Sequence, residues 1–158
     1  MTKTEENVLV REIGKLALFG GFGARFVARR LAIEERVTTW AVAATKGDVQ
    51  ASMHAILESI GRLTDEFASE SPKDSTSAIV GSGHMHLNPT IVHVQVVESS
   101  DVATLLCVRA LAKEGLVKQQ SSQRVIERIR TLLSSCYVEL HAANRPSNWL
   151  SLYENDSV

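Results

Sequence analysis

The segment at residues 87–101 constrains the fold of this chain more than any other stretch, because a proline there precedes a run of β-branched residues. Pro89 suits the entry of a strand, where no ladder N–H is required. The residues behind it favour a pleated, largely buried surface; they are Thr90, Ile91, Val92, Val94, Val96 and Val97. The sequence therefore predicts a central strand with His93 at its middle.

A helix is predicted to follow this strand directly. Ser99, Ser100 or Asp101 can cap the apolar segment at residues 102–111, and Gly115 can close it. A central strand that carries a histidine and feeds straight into a helix is a favourable place to build a site.

The rest of the chain alternates between segments with strand and helix patterns. Apolar residues at spacings of three and four predict a long helix that begins at Asp48 and continues to about residue 67. The pattern at residues 123–133 fits a helix or a strand, and its periodicity favours the helix. Further strands are expected at residues 14–20, 37–44, 78–80 and 136–140, and a further helix at residues 24–36.

The composition is that of one folded domain. The chain has 158 residues, of which 44% are hydrophobic and 22% are charged, and such values are typical of a soluble protein with a substantial core. The alternation of elements predicts a single α+β domain over residues 1–143, in which helices pack on a mixed β-sheet. We expect a flexible, serine-rich loop at residues 68–77 and a polar tail at residues 144–158.

The charge balance limits the partners. The chain carries 17 Lys and Arg against 18 Asp and Glu, a formal net charge of −1, so nucleic-acid binding must rest on a local basic patch. No apolar run approaches the roughly 20 residues that span a bilayer, and no membrane partner is expected. Cys107 and Cys136 have neither metal-knuckle spacing nor the density of a disulfide scaffold, which favours free thiols and a cytoplasmic location.

A glycine-rich break is the first candidate ligand site. It joins a predicted strand to a predicted helix, where backbone N–H groups and the helix dipole favour an anion. The ligand-binding residues predicted here are Gly20, Gly21, Gly23 and Arg25. Arg29 and Arg30 follow on the same helix and are predicted to contact nucleic acid. The alternative is a tight connection followed by solvated arginines.

Three histidines form the second candidate site. His84 and His86 are two residues apart and would share one face of a strand. With His93 on a neighbouring strand, three imidazoles could converge as they do at a catalytic zinc. Surface or hydrogen-bonded histidines are the alternative.

A basic region in the last third of the chain is the third candidate. On a strand, Arg124, Arg128 and Arg130 would share a face and could contact phosphates. On a helix they would spread around the cylinder, and a solvated surface is the alternative.

Several short motifs recur in the order seen in a known family. The most specific runs from Pro89 through His93-Val94-Gln95 to Asp101, with a helix toward Gly115. Together with weaker similarities at residues 14–19, 40–42, 128–131 and 137–140, it resembles the tRNA wybutosine-synthesising N4-methyltransferases. The Ser-Ser-Cys-Ser-Gly-Arg-type segment of that family is replaced here by residues 10–15.

The resemblance implies a tRNA partner and S-adenosylmethionine as cofactor. Enzymes of that family act on a tricyclic guanosine derivative beside the anticodon of phenylalanine tRNA. By motif match, the resemblance assigns His93 and Lys15 to ligand binding.

Three functional hypotheses follow. The first is an RNA-associated protein, a divergent S-adenosylmethionine-dependent relative of that methyltransferase family. The second is a non-enzymatic homo-oligomeric binding or assembly module, because the expected order of elements over residues 14–97 also resembles the sheet of Alba-type chromatin proteins. The third is a metal-dependent hydrolase built on the three histidines. The sequence does not decide whether the chain is catalytic.

Overall fold

Four helices and six strands make up the described part of the chain. The computed structural model describes residues 1–16, 21–72, 74–82, 88–100, 102–114, 119–137 and 140–142. In chain order the elements are α1 Lys3–Leu16, α2 Gly21–Arg30, β1 Ala32–Val42, α3 Lys46–Ile60, β2 Gly61–Leu63, β3 Ser75–Ser82, β4 Asn88–Ser99, β5 Thr104–Glu114, α4 Ser121–Cys136 and β6 Leu140–Ala142.

The strands form one sheet in the order β2-β3-β4-β5-β1-β6. The predicted α+β class is confirmed. The predicted mixed character of the sheet is wrong, because each pair of neighbouring strands is antiparallel. Few residues separate β3 from β4 and β4 from β5, and connections this short join antiparallel strands, since a parallel pair needs a long crossover.

The two faces of the sheet bury different side chains, because successive residues of a strand point to opposite faces. On one face, Val94 of β4 and Val108 of β5 belong to a large apolar core with side chains from α3 and α4. On the other face, Ile91 and Leu111 belong to a smaller apolar cluster with side chains from α1. The polar residues of this second face form the site described below.

Strand β5 contradicts the helix predicted at residues 102–111, and Gly115, the predicted end of that helix, lies outside the described residues. The segment is rich in Leu and Ala, which favour a helix in isolation. In the fold it pairs with β4 on one side and with β1 on the other, and nearly all of its side chains are buried. A strand that is buried on both faces carries a continuous apolar run, which periodicity alone cannot distinguish from a buried helix.

The start of the chain also differs from expectation. Residues 14–16 of the predicted strand belong to α1, and residues 17–20 lie outside the described part. The helix predicted at residues 24–36 ends at Arg30, after which β1 begins at Ala32. The predicted Alba-like order over residues 14–97 is therefore wrong where the structure describes it, because residues 14–16 are helical and α2 comes before β1, the first strand described.

A capping box starts α1. Thr2 Oγ1 accepts a hydrogen bond from the Glu5 backbone N–H at 3.2 Å, and Glu5 Oε2 accepts one from the Thr2 N–H at 2.7 Å. These reciprocal bonds satisfy two donors that a helix start leaves open, and Ser/Thr-x-x-Glu is their sequence signature. The Thr2-x-x-Glu5 spacing thus contained the signal for this helix.

Other predicted elements are confirmed with shifted ends. Strands β4 and β3 include the predicted residues 90–97 and 78–80, and β1 includes residues 37–42 of the predicted second strand. Helix α3 begins after Thr45, whose side chain accepts from the Asp48 N–H, and ends at Ile60. Residues 75–77 of the predicted loop lie in β3. The helical alternative for residues 123–133 is confirmed by α4, whereas Cys136 ends α4 instead of starting the last strand.

Two carboxylates hold the start of α4. Glu114 Oε1 accepts from the Ser121 backbone N–H at 2.9 Å, and Glu34 Oε2 accepts from that of Ser122 at 3.0 Å. Burial alone would raise the pKa of Glu114, but hydrogen bonds from Ser121 and Gln119 hold it below its usual value. Negative charge at a helix N-terminus is stabilising because it complements the helix dipole.

Candidate functional site

A row of polar side chains crosses the middle of the sheet beneath α1. Ser77 of β3 pairs in register with His93 of β4, and His93 pairs with Arg109 of β5. Directly paired residues of antiparallel strands project to the same face. Glu5 of α1 reaches this row from above and contacts both His93 and Arg109.

The contacts connect all four side chains. The Ser77 hydroxyl lies 2.8 Å from Nδ1 of His93. On the other side of the ring, Nε2 lies 3.0 Å from Oε1 of Glu5, although its N–H bond does not point directly at that oxygen. Arg109 donates to both oxygens of Glu5 and, through Nε, to Oε1 of Glu35 at 2.8 Å. The row is therefore a continuous chain from a serine to a guanidinium.

The electrostatics keep Glu5 ionised. Burial alone would raise the pKa of Glu5, but its contact with His93 and the charge of Arg109 lower it to about 2. Burial likewise acts to lower the pKa of Arg109, and the carboxylates of Glu5 and Glu35 outweigh it and raise that pKa. The Phe67 ring meets the His93 ring edge to face, with centroids 5.0 Å apart. The buried charges of Glu5 and Arg109 therefore lie beside a histidine that an aromatic ring covers.

A second buried cation joins α1 and α2 to the sheet. Lys113 of β5 donates to Oε1 of Glu6 at 2.7 Å and to the backbone carbonyl of Arg29 at 3.4 Å. The side chain of Lys113 is almost completely buried. Glu5 and Glu6 thus fix α1 to β5, and the Arg29 carbonyl fixes the end of α2.

Helix α2 presents two of its described apolar side chains to solvent. Ala28 is fully buried, whereas Phe26 is 54% and Val27 56% exposed. The guanidinium carbon of Arg30 lies 4.4 Å from the centroid of the Phe26 ring, within the range of a cation–π contact. Arg29 is also exposed. We call the outward side of this helix, formed by Arg25, Phe26, Val27, Arg29 and Arg30, the α2 surface.

The ligand-binding residues predicted at the glycine-rich break are only partly described. Gly20 lies outside the described residues, Gly21 and Gly23 belong to α2, and residues 14–16 of the strand predicted before them belong to α1. Arg25 lies across Gly14 of α1, where an added Cβ would meet its side chain at 2.7 Å. The predicted strand is therefore wrong at residues 14–16, and the anion site stays a prediction.

The two residues assigned by the family resemblance lie on different elements. Lys15 is exposed at the end of α1, where its Nζ lies 2.8 Å from Oε1 of Glu12. His93 lies in the middle of β4 and is 1% exposed. At this exposure the His93 ring is shielded from bulk solvent.

The arginines of α4 spread around that helix. Arg124 and Arg128 are one turn apart and lie on one flank, whereas Arg130 is two positions further and lies on the other flank. All three are exposed, and Glu127 lies beside them. The helix does not gather them into one patch.

The predicted metal site is not assembled by the residues described. His84 and His86 lie outside them, and His93 contacts Ser77 and Glu5. In the described ranges no group of three or more His, Cys, Asp or Glu side chains could hold a metal ion.

Sequence reasoning missed the partners of His93. Glu5 carried a signal in the capping box, but nothing in the sequence placed it above β4. Ser77 lay in the predicted loop, and Arg109 in the predicted helix. Placing these residues together required the register of the sheet.

Comparisons with known proteins do not assign this chain to a family. Neither protein-family models nor curated proteins gave a match to this chain. Within the described residues, no helix has both the length and the apolar character needed to cross a bilayer.

Proposed function

We propose that this chain is an RNA-associated binding module whose contact surface is the α2 surface. The observation that carries the proposal is the orientation of α2, in which Ala28 faces the protein while Phe26 and Arg30 face solvent. Large apolar groups that cluster on a surface commonly mark an interaction site. Here they come with fixed positive charge.

The chemistry of this surface suits single-stranded RNA. Exposed aromatic rings stack on unpaired bases, and a stack contributes about 1–3 kcal/mol per base. Arginine guanidinium groups also stack on bases and neutralise phosphates. Arg30 over Phe26 offers both a ring face and a charge in one place.

The distribution of charge supports the same partner. Helix α2 contains three arginines and no acidic residue. The whole chain has a formal charge of −1, so the residues outside α2 together carry −4. A polyanion is therefore attracted to α2 and repelled by the rest of the chain.

Methyl transfer is not part of this proposal. The methyltransferase resemblance, with S-adenosylmethionine as cofactor, stays a prediction, and so do a tRNA substrate and a homo-oligomer. Calorimetric titration of S-adenosylmethionine into the protein and into Arg25→Ala tests the cofactor prediction separately. Heat that the variant loses would support it, and no heat at millimolar ligand would contradict it.

The test of the proposal is fluorescence anisotropy of a labelled, unstructured RNA of mixed sequence. We expect a dissociation constant in the range of about 10⁻⁶–10⁻⁴ M at physiological salt, as for sequence-independent binding. Phe26→Ala should weaken binding roughly tenfold, because one base loses its stacking partner. Arg128→Ala on α4 is the matched control and should leave the affinity nearly unchanged.

Two results would overturn the proposal. One is the absence of binding by the unaltered protein, and the other is equal affinity of Phe26→Ala and the unaltered protein. Light scattering at the same protein concentrations measures whether the chain associates with itself. A dimer that Phe26→Ala abolishes, without RNA binding, would assign the α2 surface to self-association.

A further inference from the structure

A cavity lies at the edge of the sheet beside β3. Its volume is about 200 Å³, and its wall includes Ser77 and Ser75 of β3, Ser71, and Asp65. Serine residues therefore make up much of this wall, which suits a small polar ligand.

Ser77 connects this cavity to the buried row. Its hydroxyl lies 2.8 Å from Nδ1 of His93, and Nε2 of the same ring lies 3.0 Å from Glu5. With the ring proton on Nε2, next to the carboxylate, Nδ1 is left as an acceptor for the Ser77 hydroxyl. Nucleophile, base and orienting acid are thus in the order that activates a serine. The off-axis contact to Glu5 is typical of such groups before substrate binds.

The charged groups described around His93 include Glu5 from α1 and Arg109, its register partner in β5. Glu35 contacts Arg109 in turn.

We propose that Ser77 is a nucleophile toward short, uncharged carboxylic esters that enter this cavity. Its Oγ forms a bond to the ester carbonyl carbon while its proton passes to Nδ1 of His93. The carbon–oxygen bond to the alcohol then breaks, and the alcohol leaves with that proton. Ser77 is left as an acyl ester. Water attacks this ester, gives a proton through His93 to the Ser77 oxygen, and releases the carboxylic acid.

The cavity limits the substrate class. A volume of about 200 Å³ is large enough for a short acyl group. Asp65 on the wall disfavours a negatively charged substrate.

The experiment is covalent labelling followed by peptide mass spectrometry. The folded protein is treated with a fluorophosphonate probe and, in parallel, with p-nitrophenyl acetate. We expect an adduct on Ser77, none at that position in Ser77→Ala, and an unchanged adduct in Ser134→Ala, an exposed serine of α4. His93→Gln should lower the labelling rate by about 10²–10⁴-fold, the usual contribution of a general base.

Circular dichroism spectra of each variant show whether it is folded. Absence of an adduct on Ser77 in the folded, unaltered protein would overturn the proposal. Labelling of Ser77 that proceeds equally fast in a folded His93→Gln variant would overturn it as well. The α2 surface plays no part in this chemistry, so failure here leaves the proposed RNA contact untouched.

Discussion

His93 and Arg109 lie opposite each other in strands β4 and β5, and both reach the carboxylate of Glu5 in α1. One acidic side chain of a helix thus meets two basic groups that the sheet places side by side. Since Glu5 and Arg109 are almost fully buried, their attraction is little screened by water. The position of α1, and of α2 packed on it, therefore depends on a buried charge.

Glu5→Gln removes this charge and keeps an oxygen for the Thr2 N–H. Arg109 keeps its contact with Glu35 and loses the carboxylate of Glu5. We expect the free energy of unfolding to fall by about 3 kcal/mol, because a buried guanidinium loses one of its carboxylate partners. Urea denaturation measures the change. Glu58→Gln, on the exposed side of α3, is the control and should change it by less than about 0.5 kcal/mol.

Acid should destabilise the protein through the same residue. The pKa of Glu5 is about 2 in the folded chain against 4.5 for an ordinary glutamate. Because the pKa of Glu5 is lower in the folded than in the unfolded chain, its ionised carboxylate stabilises the fold. This stabilisation is complete above pH 4.5 and is lost as the pH falls toward 2. The loss amounts to roughly 3 kcal/mol. Unfolding free energies measured across this range should fall less steeply for Glu5→Gln, and parallel curves would show that Glu5 does not carry the effect.

Glu114→Ala tests the carboxylates at the start of α4. The backbone N–H groups of Ser121 and Gln119 lose their acceptor, and we expect a loss of about 1–2 kcal/mol, as for other lost helix caps. Glu127→Ala, in the exposed middle of α4, should cost much less. Thermal unfolding of the two variants provides the comparison, and equal melting temperatures would contradict the capping role.

Val94→Asp tests the assignment of the central strand. Val94 is 4% exposed and lies in the apolar core that faces α3 and α4. An unpaired carboxylate there should cost several kcal/mol and prevent folding at ordinary temperatures. Val102→Asp, at a position that is 76% exposed, should fold normally. Near-ultraviolet circular dichroism and urea denaturation distinguish these outcomes.

The sequence predicted the elements whose signals are local. The β-branched run around His93 identified β4, and apolar spacing identified α3 and α4. Strand β5 was missed because its Leu and Ala residues favour a helix until two neighbouring strands bury them. The polar row was missed for a related reason, since Ser77, His93 and Arg109 are far apart in the chain and meet only through strand register.

The predicted sites show the same distinction. The sequence identifies the arginines, but whether they form one binding surface depends on which face of the helix packs against the protein. Arg29 and Arg30 lie on a helix that packs through a small residue, whereas Arg124 and Arg130 lie on opposite flanks of α4. Which of the two helices could act as a binding surface therefore depends on packing.

The salt dependence of RNA binding tests the central claim most directly. Each phosphate contact made by an arginine contributes about −0.7 to the slope of log K against log salt for a single strand. We predict that Arg29→Ala makes the slope shallower by about this amount, while Arg128→Ala on α4 leaves it unchanged. A slope that is identical for the unaltered protein and Arg29→Ala would contradict the assignment of RNA to the α2 surface.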